Sequence, residues 1–376
     1  MRSIPLAMLA SAAVVLSASA ARACGDYGAG PMTPAPGGLR LSGPHVSGNL
    51  TVFLVHGPNR LAGGKLLSLQ EALEQNLVVV HETGVVSALA IENVSADADV
   101  FVMGGDIVKG GRQDRVLPYD MIVPAKSGRL PLASFCVEAG RWSGRAGEAD
   151  GKFGSSAYCL AGKGLKLAAR GAGAQQEVWR NVAAEQGKLA KNVKSDVQAE
   201  QSKTSLQLTL ENKKVQEAAD AHVRTLAGVI EGRRDVIGLA VVMNGQVSSV
   251  DVYGSAALFA KLWPKLVRSI AVEAVAEQPE KPQAFPAVSA AAVADWMVKA
   301  ETDKVVECKP AADGGPGKVQ QRGRVQQQLG NAAEDAAPPA APRMKETRRE
   351  TEKCLVIETA DTGNGNAVVR KSWLAK

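Results

Sequence analysis

The sequence contains few of the residues that usually build catalytic or metal sites. Its four histidines, at positions 45, 56, 81 and 222, lie far apart, and no Cys-x-x-Cys pair occurs. It also lacks a Gly-x-Ser-x-Gly elbow and a glycine-rich loop that ends in Gly-Lys-Ser or Gly-Lys-Thr. A zinc cluster, an α/β-hydrolase nucleophile and a P-loop are therefore not predicted. We expect neither a metal nor a cofactor, and we interpret His56 and His81 as solvated or core histidines.

Aromatic residues, long apolar runs and concentrated basic charge are also scarce. Only 4% of the residues are aromatic whereas 45% are apolar, so the core has to consist mainly of Val, Leu, Ile and Ala. The formal charge is +6, but Lys and Arg are interspersed with acids, so nucleic acid is not favoured as a partner. Beyond the N-terminal segment, no apolar run reaches the roughly 20 residues that a membrane-spanning helix needs.

The N-terminus has the features of a secretory signal peptide. Arg2 is followed by an apolar run over residues 6–16 and then by an Ala-Arg-Ala pattern that ends at Ala23. A positive segment, an apolar segment and small residues at the cut are typical of export signals. We expect residues 1–23 to be removed near Ala23, which gives a periplasmic or extracellular protein. Lipid attachment at Cys24 stays an alternative, although the preceding Ala-Arg-Ala does not fit the usual pattern for it.

Hydrophobic patterns predict a chain with both strands and helices. β-branched and alternating stretches dominate residues 49–142, whereas residues 175–230 have an apolar helical period. Asn-Gly at 244–245 predicts a tight hairpin, followed by a helix that extends to about residue 276 and that Pro264 should kink or divide. The expected fold class is α+β, with a β-rich core sheet or sandwich, a helical insertion, C-terminal helices and a C-terminal hairpin.

Composition divides the mature chain into four parts. Residues 24–45 are rich in Gly and Pro and are predicted to be a flexible lead-in. The α+β domain is expected to span residues 46–308. Residues 309–350, rich in Pro, Ala, Gly, Gln and charge, are predicted to be a disordered linker because they cannot bury enough apolar surface. Residues 351–376 are expected to form strands that pack on the main domain.

The densest glycine clusters lie within residues 102–142, which makes this stretch the candidate binding region. Two Gly-Gly pairs are followed by Arg112, Gln113 and Arg115, and a second basic and aromatic pair, Arg141 and Trp142, ends the stretch. Backbone N–H groups exposed at such glycines, together with guanidinium groups, can bind an anion. The alternative interpretation is a twisted hairpin with glycines at its bends and arginines on its surface.

Acid–base chemistry has two candidate carboxylates in the same stretch. Glu138 could act as a general base beside Arg141, with Asp114 as the second titratable group. The alternative is a structural pair between Glu138 and Arg141 at the end of a strand. Cys136 would be a nucleophile only with a base nearby, and its apolar neighbours favour a buried thiol.

These motifs, in their order and spacing, resemble those of the ARPP domain family, named for association with ARG and rhodanese-phosphatase-superfamily proteins. The resemblance covers residues 46–280. The motifs that carry it are Leu69-x-x-Ala72-Leu73, Gly110-Gly111-Arg112-Gln113-Asp114-Arg115-Val116-Leu117, Cys136-Val137-Glu138-x-x-Arg141-Trp142, Glu177-Val178-Trp179, and the hairpin and helix of residues 237–276 with Leu262-Trp263. It implies one α+β domain and an association with conflict or regulatory systems, but no reaction or cofactor. The export signal and the tail after residue 285 depart from the family pattern.

Five cysteines remain after removal of the signal peptide, and an exported protein can form disulfides. Cys308 and Cys354 lie at the boundaries of two predicted strands around the disordered stretch, so we expect them to form a disulfide. Cys136 is then the expected free thiol, and Cys24 and Cys159 are left as a second pair.

Two functional hypotheses follow. The first is a non-enzymatic binding module for a small anionic ligand or a protein partner, with its site around residues 110–115 and 138–142. The second is a hydrolase-like enzyme in which Glu138 and Asp114 act as acid and base and Arg112, Arg115 and Arg141 bind an anionic substrate. Both hypotheses require these residues to converge.

Overall fold

Strands and helices contribute comparably to the chain, which confirms the α+β class. The computed structural model describes residues 32–61, 63–145, 148, 151–156, 160–171, 174–281, 283–305 and 342–376. Its strands are β1 (Thr33–Ala35), β2 (Leu39–Ser47), β3 (Leu50–His56), β4 (Lys65–Ser68), β5 (Val78–Val85), β6 (Ala88–Asn93), β7 (Ala98–Val102), β8 (Ile107–Gly110), β9 (Arg115–Val116), β10 (Met121–Val123), β11 (Arg129–Ala133), β12 (Phe135–Cys136), β13 (Phe153–Ser155), β14 (Val236–Met243), β15 (Gln246–Tyr253), β16 (Lys345–Glu350), β17 (Cys354–Asp361) and β18 (Ala367–Ala375). Its α-helices are α1 (Leu69–Glu74), α2 (Lys163–Ala168), α3 (Ala174–Val193), α4 (Leu206–Leu210), α5 (Lys213–Leu226), α6 (Ala256–Ala276) and α7 (Ala290–Thr302).

The largest sheet has eight antiparallel strands in the order β1-β2-β3-β14-β15-β18-β17-β16. At its centre, β14 and β15 form the predicted hairpin. Asn244 and Gly245 have φ angles of 51° and 73°, as the two central residues of a type I′ turn require. The C-terminal strand β18 inserts between β15 and β17, so the chain end belongs to the main sheet.

Helices pack on both faces of this sheet. On one face, Trp263 of α6 packs with Leu54 and Leu239, and on the other face Val293 of α7 packs with Phe53. Neighbouring residues of a strand point to opposite faces, so the central strand β14, which is covered on both faces, is apolar along its whole length. Within the described residues, no helix is long and apolar enough to cross a membrane.

For helix α6, where a kink or a second helical segment was predicted at Pro264, the structure excludes the second outcome. It begins at the expected cap, where Ser255 accepts a hydrogen bond from the Leu258 N–H. Pro264 lies inside the helix and does not start a second segment there. Tertiary packing outweighs the lost backbone hydrogen bond, since the neighbouring Trp263 is buried and donates its indole N–H to the Ala227 carbonyl at 2.8 Å.

Three small sheets form the rest of the β-rich region. Their strand orders are β10-β7-β4, β11-β6-β5 and β12-β9-β8-β13. The short helix α1 joins two of them and begins with the predicted capping box of Ser68 and Glu71. A separate apolar core fills the space between these sheets and includes Leu89, Val100 and Leu117.

The predicted lead-in at residues 24–45 is wrong in its C-terminal half. Residues 33–35 and 39–47 form β1 and β2, and β2 pairs with β3 along the main sheet. Leu39 and Leu41 are buried, which outweighs the turn-forming tendency of the surrounding Gly and Pro residues. Residues 1–31, including the predicted signal peptide and Cys24, lie outside the described residues.

The tail also differs from the prediction. Residues 345–350 were expected to be disordered but form the edge strand β16, which pairs with β17. Val305, at the end of a described segment, makes an isolated bridge to Thr351, and β17 pairs with β16 on one side and with β18 on the other. The charged sequence of β16 is typical of an edge strand, because charge there opposes pairing with other chains. Residues 306–341 lie outside the described part of the chain.

The expected disulfide between Cys308 and Cys354 is not formed in the structure. Cys354 is a free, buried thiol at the start of β17, and burial raises its pKa to about 11. The Cys354 side chain belongs to the apolar core that includes Val356 and Trp373. Cys136 is free and buried, as expected, while Cys24, Cys159 and Cys308 lie outside the described residues.

Candidate functional site

A tight turn between β8 and β9 positions the candidate residues. Gly110 and Gly111 have φ angles of 119° and 54°, which glycine adopts without strain. A Cβ atom on Gly111 would also clash with the carboxylate of Glu82. Strand β9 then pairs with β12, so residues 110–115 and 136–142 lie together.

Two buried carboxylates, those of Asp114 and Glu138, lie beneath this turn. The Asp114 backbone N–H donates to Glu138 Oε2 at 3.4 Å, and Arg141 Nε donates to Glu138 Oε1 at 2.7 Å. Arg145 Nη2 donates to Asp114 Oδ1 at 2.5 Å, and Ser205 Oγ donates to Asp114 Oδ2 at 3.0 Å. All four carboxylate oxygens therefore accept a hydrogen bond from the protein.

The two carboxylates have different proton affinities. Burial raises the pKa of Asp114, and the nearby Arg145 offsets only part of this effect. Burial also acts to raise the pKa of Glu138, but hydrogen bonds from Arg141 and Ser202 outweigh it, and the net shift is downward. At Asp114 burial dominates and the Glu138 charge adds to it, whereas at Glu138 the hydrogen bonds and the charges of Arg141 and Arg145 dominate.

Arg115 and Trp142 form the part of the cluster next to the surface. Arg115 is fully buried, and its Nη1 donates to the Gln113 carbonyl at 2.7 Å. The Trp142 side chain is 42% exposed, and the guanidinium carbons of Arg115 and the exposed Arg112 lie 5.8 Å and 5.4 Å from its ring centroid. One indole therefore contacts a buried cation and an exposed one.

Gln113 and Cys136 are occupied by contacts within the protein. The Cys136 thiol donates to Gln113 Oε1 at 2.8 Å, and Gln113 Nε2 donates to the Glu138 carbonyl at 2.9 Å. Burial raises the pKa of Cys136 to about 11, so its thiol is protonated at neutral pH. A protonated, buried thiol is a poor nucleophile.

The structure thus brings the sequence-predicted residues into one cluster. Arg112 and Arg115 meet at Trp142, and Arg141 meets Glu138. Of these five residues, only Arg112 and Trp142 are exposed. Among the described residues, no three His, Cys, Asp or Glu side chains are placed to hold a metal ion.

Sequence reasoning missed three members of the cluster. Arg145 lies in an irregular glycine-rich segment, Ser205 caps α4, and Glu82 lies on β5. The Glu82 Oε1 atom accepts from the Arg112 backbone N–H at 2.8 Å, across 30 residues of chain. No local pattern marks such contacts, although the Arg145 and Glu148 spacing is typical of an ion pair and could have drawn attention to Arg145.

A serine, a histidine and an aspartate far apart in sequence also meet. Ser42 Oγ lies 2.7 Å from His56 Nε2, and His56 Nδ1 lies 2.9 Å from Asp235 Oδ1. Ser42 and His56 are buried, whereas Asp235 is 44% exposed and pairs with Arg40 at 3.0 Å. A nucleophilic triad needs the reverse arrangement, with the serine open to substrate and the aspartate buried. This chain of hydrogen bonds therefore links β2, β3 and the segment before β14.

A second buried ionic cluster lies in the main sheet. Arg370 of β18 contacts Asp251 of β15 at 2.7 Å and Asp120 at 2.9 Å. Thr359 donates to Asp120 at 2.9 Å, and Ser372 donates to Asp251. All five side chains are buried, so this cluster has no exposed member.

A comparison with protein-family models identifies one match. Residues 38–334 match the model described as the ARG and Rhodanese-Phosphatase-superfamily-associated Protein domain, ARPP-1. The match begins before residue 46 and extends past residue 285, so it covers more of the chain than the motifs alone indicated. No curated protein and no solved structure matches the chain. Because the match covers most of its length, the chain belongs to the ARPP-1 family.

Proposed function

We propose that the protein is a non-enzymatic binding module whose contact surface is the exposed pair Arg112 and Trp142. The observation that carries this proposal is the contrast in burial within the cluster. Asp114 and Glu138 are completely buried, whereas Arg112 and Trp142 are exposed above them. Aromatic and arginine side chains at a surface are the types that contribute most to binding energy in interfaces.

The buried carboxylates support this surface instead of reacting. Each of their oxygens already accepts a hydrogen bond, so a substrate would have to displace Arg141, Arg145 or Ser205. Breaking a buried, charge-assisted hydrogen bond costs about 1.5–3 kcal/mol. The same contacts fix the loop that carries Trp142, since Arg141 precedes it directly. A fixed aromatic side chain loses little entropy on binding.

The hydrolase-like alternative rests on one specific observation. The pKa of Asp114 is raised while that of Glu138 is lowered, and enzymes use carboxylates with separated pKa values as acid and base. Under the hydrolase-like alternative, the anionic substrate would be bound by Arg112, Arg115 and Arg141. The completed hydrogen bonds of both carboxylates favour the binding module.

The partner is proposed to be a small anionic ligand or a protein. Arg112 contributes an exposed positive charge, and Trp142 contributes an apolar face beside it. The family name speaks of association with rhodanese-phosphatase-superfamily proteins, so a member of that superfamily is the first protein partner to test. Export after cleavage near Ala23 remains part of the proposal, and N-terminal sequencing of the secreted protein tests it.

The binding proposal is tested by a thermal-shift screen of the purified protein against sugar acids, phosphates, nucleotides and the candidate protein partner. Arg112→Gln should remove the response to any ligand that binds this surface. Arg224→Gln is the matched control, because Arg224 is an exposed arginine on α5. Equal responses in both variants would contradict the proposed surface. Turnover of an ester substrate that Glu138→Gln abolishes would instead establish the hydrolase.

A further inference from the structure

One edge of the buried Arg115 guanidinium has no partner among the described residues. Its Nη1 atom donates to the Gln113 carbonyl, but Nε and Nη2 are buried without a hydrogen-bond acceptor. These two nitrogens carry parallel N–H groups on the same edge of the guanidinium. That edge is the fork which binds the two oxygens of a carboxylate.

Glu82 contributes an unpartnered acceptor next to this edge. Its Oε1 atom accepts from the Arg112 backbone N–H, whereas Oε2 is buried without a donor among the described residues. Oε2 lies 4.0 Å from Arg115 Nη2, too far for a direct hydrogen bond. Two free donors and one free acceptor therefore lie side by side in the protein interior.

Trp142 lies between this group and solvent. Its indole lies over Arg115 and is itself partly exposed. Trp142 belongs to a loop without regular structure at residues 139–143. Gly140 in that loop has a φ angle of 84°, and a side chain there would meet no atom. A ligand that reaches Arg115 from this side would have to displace Trp142, the exposed side chain in contact with it.

We infer that Arg115 and Glu82 form a recognition site for a small carboxylate that carries a hydroxyl on the neighbouring carbon, as 2-hydroxy acids do. The carboxylate takes the Nε and Nη2 edge of Arg115, and the hydroxyl donates to Glu82 Oε2. Trp142 closes over the ligand, and Arg112 adds a second positive charge. This inference rests on the proposed binding function and names the ligand class of that site.

The charges around the site favour a monoanion over phosphate. The charges of Asp114 and Glu138 are matched by Arg145 and Arg141, so Arg112, Arg115 and Glu82 leave one net positive charge beside the fork. A singly charged carboxylate neutralises it, whereas a phosphate dianion would leave excess negative charge next to Glu82.

The test uses the purified full chain and four probes: acetate, glycolate, ethylene glycol and inorganic phosphate. Glycolate is acetate with one added hydroxyl, and ethylene glycol has hydroxyls without a carboxylate. Binding is followed by NMR titration of the Trp142 indole N–H. We expect glycolate to bind about tenfold more tightly than acetate, because its hydroxyl gains a hydrogen bond to a charged acceptor. Ethylene glycol and phosphate should bind much more weakly than glycolate.

Two variants separate the two halves of the site. Arg115→Lys keeps the charge but removes the fork, and it should weaken acetate and glycolate alike by about 10- to 100-fold. Glu82→Gln should instead reduce the preference for glycolate over acetate, a ratio that does not depend on the stability of the fold. The matched control is Glu92→Gln on the adjacent strand β6, whose carboxylate pairs with His81, and it should leave the ratio unchanged.

The outcomes distinguish this inference from the proposed function. Binding that Arg112→Gln removes but that Arg115→Lys and Glu82→Gln leave unchanged would overturn the inference and leave the binding module intact. Phosphate or ethylene glycol binding as tightly as glycolate would also overturn it. If no acid shifts the Trp142 signal, the carboxylate site is wrong, and the protein-partner screen still decides the proposed function.

Discussion

Two of the buried charged clusters, one in the main sheet and one in the candidate site, are built differently. In the main sheet, Arg370 uses Nε, Nη1 and Nη2 to contact Asp251 and Asp120. In the candidate site, Arg115 is equally buried, but two of its three nitrogens make no hydrogen bond among the described residues, and Glu82 Oε2 lies 4.0 Å from one of them. The first cluster is complete in itself, whereas the second has unused hydrogen-bonding capacity below an exposed side chain.

This difference separates a structural cluster from a candidate binding site. A buried charge whose hydrogen bonds are all made locks neighbouring elements together and has little to offer a ligand. Burial alone does not distinguish them, because Arg115 and Arg370 are both inaccessible. The free polar atoms of Arg115 and Glu82, together with the exposed Trp142, make the distinction. Substitutions in the main-sheet cluster should therefore mainly lower stability, whereas substitutions in the candidate site should mainly weaken binding.

The largest loss of stability is expected for Arg370→Met. The substitution leaves the buried Asp251 and Asp120 without their cation, and removing one member of a buried ion pair costs about 3–5 kcal/mol. Urea denaturation measures the free energy of unfolding. Arg40→Met is the control, since its pair with Asp235 is about half exposed, and it should cost less than about 1 kcal/mol. Equal losses of unfolding free energy in both variants would show that the main-sheet cluster does not stabilise the fold more than an exposed ion pair does.

A smaller loss is expected for Asp114→Asn in the candidate site. Arg145 would lose its contact with Asp114 but keep Glu148 at 3.0 Å, so its charge stays partly compensated. We expect a loss of about 1–3 kcal/mol in the free energy of unfolding. The control Asp97→Asn removes an exposed carboxylate that pairs with Lys65 at 3.5 Å, and it should be nearly neutral. A loss as large as that of Arg370→Met would remove the contrast between the clusters.

A carboxyl group without a matching cation should make stability depend on pH. At Asp251, Arg370 and Lys166 outweigh burial and lower the pKa. At Glu185, burial and then the charge of Glu273 raise the pKa to about 7. The folded state then binds the Glu185 proton more tightly than the unfolded state does. This contribution is present below about pH 4.5 and is lost as pH rises to about 7.

The measurement is the free energy of unfolding between pH 4.5 and 7.5 for the protein and for Glu185→Gln. The variant should lose a pH-dependent contribution on the order of 1 kcal/mol over this range. Glu217→Gln is the control, because Glu217 is 50% exposed. The assignment to Glu185 fails if its variant keeps the full slope.

Local patterns predicted the parts of the fold that depend on neighbouring residues. The hairpin at Asn244, the cap at Ser255 and the capping box at Ser68 form as expected, because each is set by residues within one turn. The meeting of residues 110–115 with 136–142 also followed from strand pairing between nearby segments. These features need no knowledge of the tertiary structure.

Contacts across long stretches of chain could not be predicted in this way. Glu82 reaches Arg112, Ser205 reaches Asp114, and Ser42 is linked to Asp235 through His56, all because packing brings separate elements together. The strands β1 and β2 were missed for the same reason, since burial against β3 outweighs their Gly and Pro content. Which polar atoms remain unpaired also depends on the whole structure, so the glycine and arginine pattern predicted Arg115 as an anion-binding residue but not the free Glu82 oxygen beside it.

The smallest effect on stability is expected where the effect on binding is largest, at Arg112→Gln. Arg112 is exposed, and its side chain contacts Trp142 only through a cation–π interaction, which contributes about 0.5–1 kcal/mol at an exposed site. The free energy of unfolding should therefore fall by less than about 1 kcal/mol, close to the value for the control Arg224→Gln. Ligand binding should nevertheless be lost, because this guanidinium is the exposed charge of the proposed surface. A variant that loses stability but keeps binding would assign Arg112 to the fold, like Arg370, and would remove the distinction between the two clusters.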